Sequence, residues 1–413
     1  MKILLATDVF PPKSGGSGWS AFYLARALAQ RGHVVRVVMP RAGSQAVQTR
    51  AYAEIEVVEI DYRVSNMPGL RAWQRTRALE KTFSAYLAEC AREFDVIHAQ
   101  HTLSIGAAIA TKRIARIPVV STVRDYWPVC LYGTRWRDDT ICPICRGGEI
   151  TRCLRQKYGS AANFMQPALP FVERELRRRQ QTLRDSDAVI AVSEYVAQSL
   201  REIACATRLD VIPNLIDAAE TRRLATRDAA DALRAAPYLI FIGKLNALKG
   251  ADWLPQILAQ SGVAASLVVA GDGELKAALA RHKQIELRGW ISNAETLTLL
   301  ARAKALLFPA RWAEPLARTL LEAQALGIPT IACDTGGTRD IIEDNVNGLL
   351  ANSIAEFAAA LRRLMNDDAL RARLGENAKR AAQTKFSPRV VTEKLEAVYA
   401  RAIQHAALNL SDS

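Results

Sequence analysis

The chain has 413 residues, of which 50% are hydrophobic and 23% charged, and it carries a formal net charge of +13. That length exceeds one ordinary hydrophobic core and predicts two domains. No apolar stretch approaches the ~20 residues of a membrane-spanning helix, and the positive balance comes without a nucleic-acid recognition motif, so neither a membrane span nor a nucleic-acid partner is expected.

The apolar start of the chain turns polar at Thr7 and Asp8, as a first strand does and a leader peptide does not, which predicts a cytoplasmic protein. Apolar runs at residues 2–6, 34–39, 54–60, 95–99, 117–122, 187–192 and 209–212 alternate with helical patterns. Such alternation predicts a parallel sheet covered on both faces. After the first run, Pro11-Pro12 and then Gly15, Gly16 and Gly18 form a loop ahead of a helix over residues 19–31. The glycines do not fall at the spacing of the dinucleotide fingerprint. His98 and His101 close the fourth run, where structural roles are expected.

Residues 127–154 form a cysteine-rich insertion holding Cys130, Cys142, Cys145 and Cys153. Cys142-Pro-Ile-Cys145 has the spacing of a metal knuckle, and four thiolates complete a tetrahedral zinc site. Only one such pair is present, so structural zinc and free, redox-active thiols both stay open. Cys90, Cys205 and Cys333 read as core residues. Trp127, Tyr132 and Trp136 suit either a lid that stacks on sugar rings or anchors for the loop. Residues 171–184 follow, with five arginines, two glutamates and the apolar Phe171, Val172, Leu176 and Leu183. This basic helix fits an anionic membrane surface as well as it fits an ordinary solvated face. Asp185-Ser186-Asp187 precedes a strand and reads as a turn.

The alternation restarts after an alanine- and charge-rich stretch at residues 215–237. Strands are expected at 238–243, 265–270, 284–288, 304–308, 328–332 and 348–350, and a long helix at 387–408. Lys244 and Lys249 flank a loop at the end of the first of these strands, where two ammonium groups suit a diphosphate. Gly243, Gly271, Gly273, Gly336 and Gly337 mark strand ends at which a backbone can approach a ligand. The most informative segment is Glu314-Pro315-Leu316-Ala317-Arg318-Thr319-Leu320-Leu321-Glu322. Pro315 suits the first helical position, and Leu316, Leu320, Leu321 and Ala325 continue with helical period. At a rise of ~1.5 Å per residue, the two carboxylates stand on the order of 10 Å apart along the axis. The free amides of Leu316, Ala317, Arg318 and Thr319 then face a diphosphate, with one acid on a sugar ring and the other on a ribose. That outline is a nucleotide sugar.

Taken in order, Pro11-Pro12, Gly15-Gly16, Ser193, Ile212-Pro213-Asn214, Gly243-Lys244, Lys249-Gly250, Gly271-Asp272-Gly273, Glu314-x7-Glu322, Gly336-Gly337 and Asn347-Gly348 resemble a retaining glycosyltransferase of family four, with its E-x7-E signature. The resemblance covers the whole chain. It implies an α/β protein of the GT-B fold, two doubly wound Rossmann-like domains facing across a cleft: an acceptor-side domain 1–214 carrying the insertion 127–154, and a nucleotide-sugar domain 215–386. The helix 387–408 would pack back on the first domain. It further implies that Gly15 and Gly16 close on the donor diphosphate, that Glu314 grips the transferred sugar and that Glu322 holds the ribose. Lys244 and Lys249 would stabilise the leaving group without a catalytic metal. The donor would be a UDP- or GDP-sugar and the acceptor a glycan or lipid-linked glycan, in cell-surface polysaccharide or glycolipid synthesis at the inner membrane face. One position departs from the pattern. Where the family has His-Asp, this chain has Arg124-Asp125, and a permanent cation cannot act as a base. Arg124, counted with the catalytic positions, would instead meet a charged acceptor, a carboxylated donor sugar or the diphosphate. The alternative is a non-catalytic nucleotide-sugar-binding scaffold.

Overall fold

A computed structural model describes the chain apart from residues 13, 43–46, 63–70, 205–207, 228–236 and 412–413. Cys205 therefore lies outside the described residues. The chain divides into two compact units: Met1–Arg135, Pro143–Asn214 and Val391–Ser413 form the first, Trp136–Cys142 and Leu215–Val390 the second.

In chain order the strands are β1 (Lys2–Ala6), β2 (Val34–Ala42), β3 (Gln48–Tyr52), β4 (Ile55–Tyr62), β5 (Val96–Ala99), β6 (Val119–Val123), β7 (Trp136–Arg137), β8 (Thr140–Ile141), β9 (Ala188–Ala191), β10 (Leu209–Val211), β11 (Tyr238–Ile242), β12 (Ser266–Ala270), β13 (Ile285–Gly289), β14 (Ala305–Phe308), β15 (Thr330–Ala332) and β16 (Leu349–Leu350). The first unit holds an eight-stranded sheet in the order β10-β9-β6-β5-β1-β2-β4-β3. Ile3, Leu4, Leu5, Val37, Val96, Ile97, Val119 and Val120 are fully buried along it, because helices cover both faces. Only β3 runs antiparallel, against β4. Its sequence, Gln-Thr-Arg-Ala-Tyr, gave no strand signal, since an exposed edge strand has one solvated face and polar residues to guard it.

The helix Pro388–Ser411 buries Val391, Leu395, Val398, Tyr399 and Ala402, one apolar stripe at helical spacing. Glu396 on this helix accepts from Nε of Arg31 at 2.6 Å and contacts Nε2 of His33 at 2.8 Å, which ties it to the start of the chain.

The second unit holds six parallel strands in the order β13-β12-β11-β14-β15-β16. Leu239, Phe241, Leu267, Val269, Leu307 and Ile331 pack there with Phe357, Leu361 and Leu374 from the covering helices. The hairpin β7–β8 also falls in this unit, although the whole insertion was expected in the first. Asp138 and Asp139, both at positive φ, form its two-residue turn. The physical reason is Arg311, whose guanidinium lies 5.7 Å from the Trp136 ring centre and 3.4 Å from the Asp139 carboxylate.

Candidate active site

In the second unit the loops after β11, β12, β14 and β15 leave the same, carboxyl, edge of the sheet, the usual binding edge of an open α/β sheet. These loops lie on one another. A Cβ on Gly271 would stand 1.9 Å from the carbonyl oxygen of Gly243, and one on Gly250 would stand 1.9 Å from that of Pro309. Gly271, expected to let the backbone approach a ligand, and Gly250 also each make room for a neighbouring turn.

Glu314 stands in the loop after β14. Its Oε2 accepts from Nε1 of Trp312 at 2.8 Å and is bonded by Nζ of Lys249. The ammonium also lies 5.1 Å from the Trp312 ring centre. Glu314 is 9% exposed, so its charge is held by these donors more than by water. Its backbone carbonyl accepts from the amide of Gly337 at 2.7 Å. That bond, and the bias of a residue preceding proline away from helical backbone, keep Glu314 out of the helix. The helix spans Arg318–Leu326 with Ala317 as its cap, so Pro315 precedes it and is not its first residue. Glu322 is consequently little more than one turn down, not two.

Ala317 offers no side-chain acceptor to the first turn, and no acidic residue stands there. No side chain caps this helix start and no acid opposes it, the condition in which a helix start takes an anion. Glu322 is 6% exposed and pairs with Nε of Arg318 at 3.1 Å. Burial raises the basicity of its carboxylate, while Arg318 and a hydrogen bond from Asn293 oppose that. Helix spacing marks Arg318 only for its amide, but its side chain is a buried partner of Glu322, a pairing signalled by the i,i+4 interval. Lys244 is exposed, and among the described residues its side chain makes no hydrogen bond or ion pair. Of the two lysines, Lys249 is the one the structure brings to Glu314.

The first unit has a second polar cluster at the carboxyl edge of β1, β5 and β6. Arg124, half-buried just past β6, donates from Nε to Oε1 of Gln100 at 3.0 Å, from Nη2 to the same oxygen, and from Nη1 to Oδ1 of Asn214. Because Oε1 of Gln100 accepts from Arg124, its amide nitrogen must face His98, where it lies 2.7 Å from Nε2. An amide nitrogen only donates, so it serves the nearer ring nitrogen, Nε2, while the Tyr399 hydroxyl lies 2.6 Å from Nδ1. Burial first, and the charge of Arg124 second, push His98 and His101 down to about 3, so both rings are neutral. His98 is structural, as expected. Gln100, Asn214 and Tyr399 were not found from sequence; a sequence separation of 301 between His98 and Tyr399 leaves no local pattern. Gly15 caps, and Gly16 begins, the helix Gly16–Gln30, again without a side-chain cap or an acidic first turn.

In the insertion, Cys130, Cys142, Cys145 and Cys153 are all buried and none is in a disulfide. The Cys145 thiol is pushed far above its usual range, first by hydrogen bonds to Cys130 and Cys153 and then by burial. Among the described residues no group of three or more His, Cys, Asp or Glu stands at metal-binding distances. Trp127 is buried and serves as an anchor; Tyr132 is exposed, with Nζ of Lys157 4.1 Å from its ring centre.

The family described as "Glycosyltransferase Family 4" matches residues 14–220, and "Glycosyl transferases group 1" matches residues 226–381. An uncharacterized glycosyltransferase, MJ1607, of Methanocaldococcus jannaschii is 25% identical over 98% of this chain and 99% of that protein. A D-inositol 3-phosphate glycosyltransferase of Xylanimonas cellulosilytica is 26% identical over 95% of this chain and 93% of its own length. Among solved structures, Anabaena Alr3699/HepE in complex with UDP superposes with a TM-score of 0.66 at 19% identity, covering 97% of this chain and all of that one. That likeness establishes the GT-B fold. With half of its length matched by the family, the chain belongs to glycosyltransferase family 4 and is an enzyme that transfers sugars.

Proposed function

We propose that the protein is a retaining glycosyltransferase that moves a sugar from a UDP- or GDP-sugar to a glycan or lipid-linked acceptor in cell-surface polysaccharide or glycolipid synthesis. The observation that carries this reading is the Glu314–Lys249–Trp312 cluster at the carboxyl edge of the second sheet, beside a helix start that no side chain caps. The UDP in the structure of Alr3699/HepE supports it.

In the proposed reaction the acceptor hydroxyl oxygen bonds to the anomeric carbon from the face that the nucleotide leaves. The bond from that carbon to the phosphate oxygen breaks, and a donor phosphate oxygen takes the hydroxyl proton. Glu314 accepts hydrogen bonds from the transferred sugar, and Glu322, set by Arg318, those of the ribose. Lys249, Lys244 and the amides of Leu316 to Thr319 meet the negative charge that grows on the diphosphate, so the proposed step uses no metal. Gly243, Gly271 and the loop at Gly15 and Gly16 complete the donor site.

Two further assignments belong to this reading. Phe164 is 89% exposed and Phe171 51%, and Arg174 and Arg177 are exposed on the same helix as Phe171, which suits peripheral contact with an anionic membrane at its cytoplasmic face. Co-sedimentation with anionic vesicles, lost with neutral ones, tests it. Structural zinc on Cys130, Cys142, Cys145 and Cys153 is a separate proposal, tested by metal analysis of protein purified without chelator: one equivalent supports it and none removes it.

The function itself is tested by incubating the protein with a panel of nucleotide sugars. Release of UDP or GDP supports an enzyme. Binding without release across a wide acceptor panel would instead make it a nucleotide-sugar-binding scaffold.

A further inference from the structure

We infer that Arg124 and His101 form an anion subsite on the first unit, which takes the carboxylate or phosphate of a sugar substrate; the inference rests on the reading of the protein as a sugar-transferring enzyme and narrows its substrate class.

Three observations meet at this place. The guanidinium is fixed in direction by two amide oxygens, of Gln100 and Asn214. Gln100 is in turn fixed by His98, which Thr122 holds at 2.7 Å and Tyr399 at 2.6 Å. A cation fixed in direction presents a defined face, and the planar fork of arginine fits a carboxylate or phosphate better than it fits water. Second, Nε2 of His101 is buried and has no hydrogen-bond partner, although Nδ1 lies 3.0 Å from the Thr7 hydroxyl. A buried polar atom left alone is costly, and a ligand is one way to satisfy it. Third, both groups stand at the carboxyl ends of adjacent parallel strands, β5 and β6, the edge at which open α/β sheets bind ligands.

The two groups together select the ligand. Arg124 asks for an oxyanion. His101 is neutral, so Nε2 presents either a proton or a lone pair, and a hydroxyl satisfies both. An oxyanion with neighbouring hydroxyls is a sugar acid or a sugar phosphate. Asp8, the nearby acid, accepts from the amides of Leu103 at 3.1 Å and Ser104 at 2.8 Å, so its charge is held by the start of the helix Thr102–Ala115.

The test is calorimetric titration of the full chain with four probes: UDP-glucuronate against UDP-glucose for a donor-borne anion, and glucose 6-phosphate against glucose for an acceptor-borne one. At least one anionic probe is expected to bind about tenfold or more tightly than its neutral twin. Arg124→Gln should abolish that difference, Arg124→Lys should keep part of it, and His101→Ala should weaken the anionic and neutral sugars alike. Melting curves of each variant show whether it folds. Equal affinity within both pairs overturns the inference while leaving donor binding intact. So does an anionic preference that survives Arg124→Gln in a folded protein. Binding of glucose 6-phosphate that depends on Arg124, with neither a UDP-sugar nor a GDP-sugar bound, keeps the subsite and removes the nucleotide-sugar reading.

Discussion

The chemistry proposed for the second unit turns on one carboxylate. Glu314 could be chosen from its spacing to Glu322, but what makes it usable, the Trp312 ring nitrogen and the Lys249 ammonium on one oxygen, is a tertiary arrangement. Lys249 lies 65 residues earlier, and its strand-end position pointed to the right edge of the sheet without naming its partner. We expect Lys249→Ala to lower kcat by about 10²–10³ with a smaller change in KM, because its charge matters most as the diphosphate departs. Steady-state rates on the active donor check this; an unchanged kcat would take Lys249 out of the step. Arg124 was legible as a departure from the family pattern. Its bracing by Gln100, His98 and Tyr399 was not, since each of these residues is ordinary by itself.

Among the elements, the strands were the most readable and the helix ends the least. Buried parallel strands announce themselves as apolar runs, whereas the exposed edge strand β3 and the two-residue strands β7 and β8 carry too few apolar residues to show. The helix after Glu314 starts three residues later than its proline suggested, because tertiary bonds to Gly337 compete with helical backbone. Gly336 makes that packing feasible: its φ is +56°, and a Cβ there would stand 2.3 Å from the carbonyl oxygen of Glu314. Gly336→Ala should therefore destabilise the protein by at least about 1–3 kcal/mol and displace Glu314, read as a lower urea midpoint together with lost turnover. An unaltered midpoint would mean that the loop relaxes freely. The helix Pro388–Ser411 offers a pH test. Hydrogen bonds from Arg31, opposed by partial burial and helped by His33, hold Glu396 down at about 2. A depressed carboxylate contributes stability above its ordinary range near 4.5, and that contribution is lost as pH falls toward 2. Glu396→Gln should thus lower the melting temperature at pH 7, with the deficit shrinking below about pH 4.5. A deficit that is constant with pH would point to lost packing instead.

For the whole molecule, length and alternation of elements were enough to expect two α/β halves, and the family match places this chain among the sugar-transferring enzymes of that fold. What neither composition nor spacing conveyed is how charge is distributed: the net charge of +13 says nothing of the few cations that are fixed in place. Those few, Lys249 on Glu314, Arg318 on Glu322 and Arg124 on Gln100 and Asn214, are what the proposed chemistry uses. The edge of the second sheet, organised around Glu314, is proposed to hold a nucleotide sugar through the departure of its diphosphate. The most direct measurement is nucleotide release from a panel of UDP- and GDP-sugars by the native protein and by Glu314→Gln, side by side and with matched melting curves. We expect at least one donor to be turned over by the native protein and its rate to fall about 10²-fold or more in the variant. Equal rates from the two folded proteins would contradict the account.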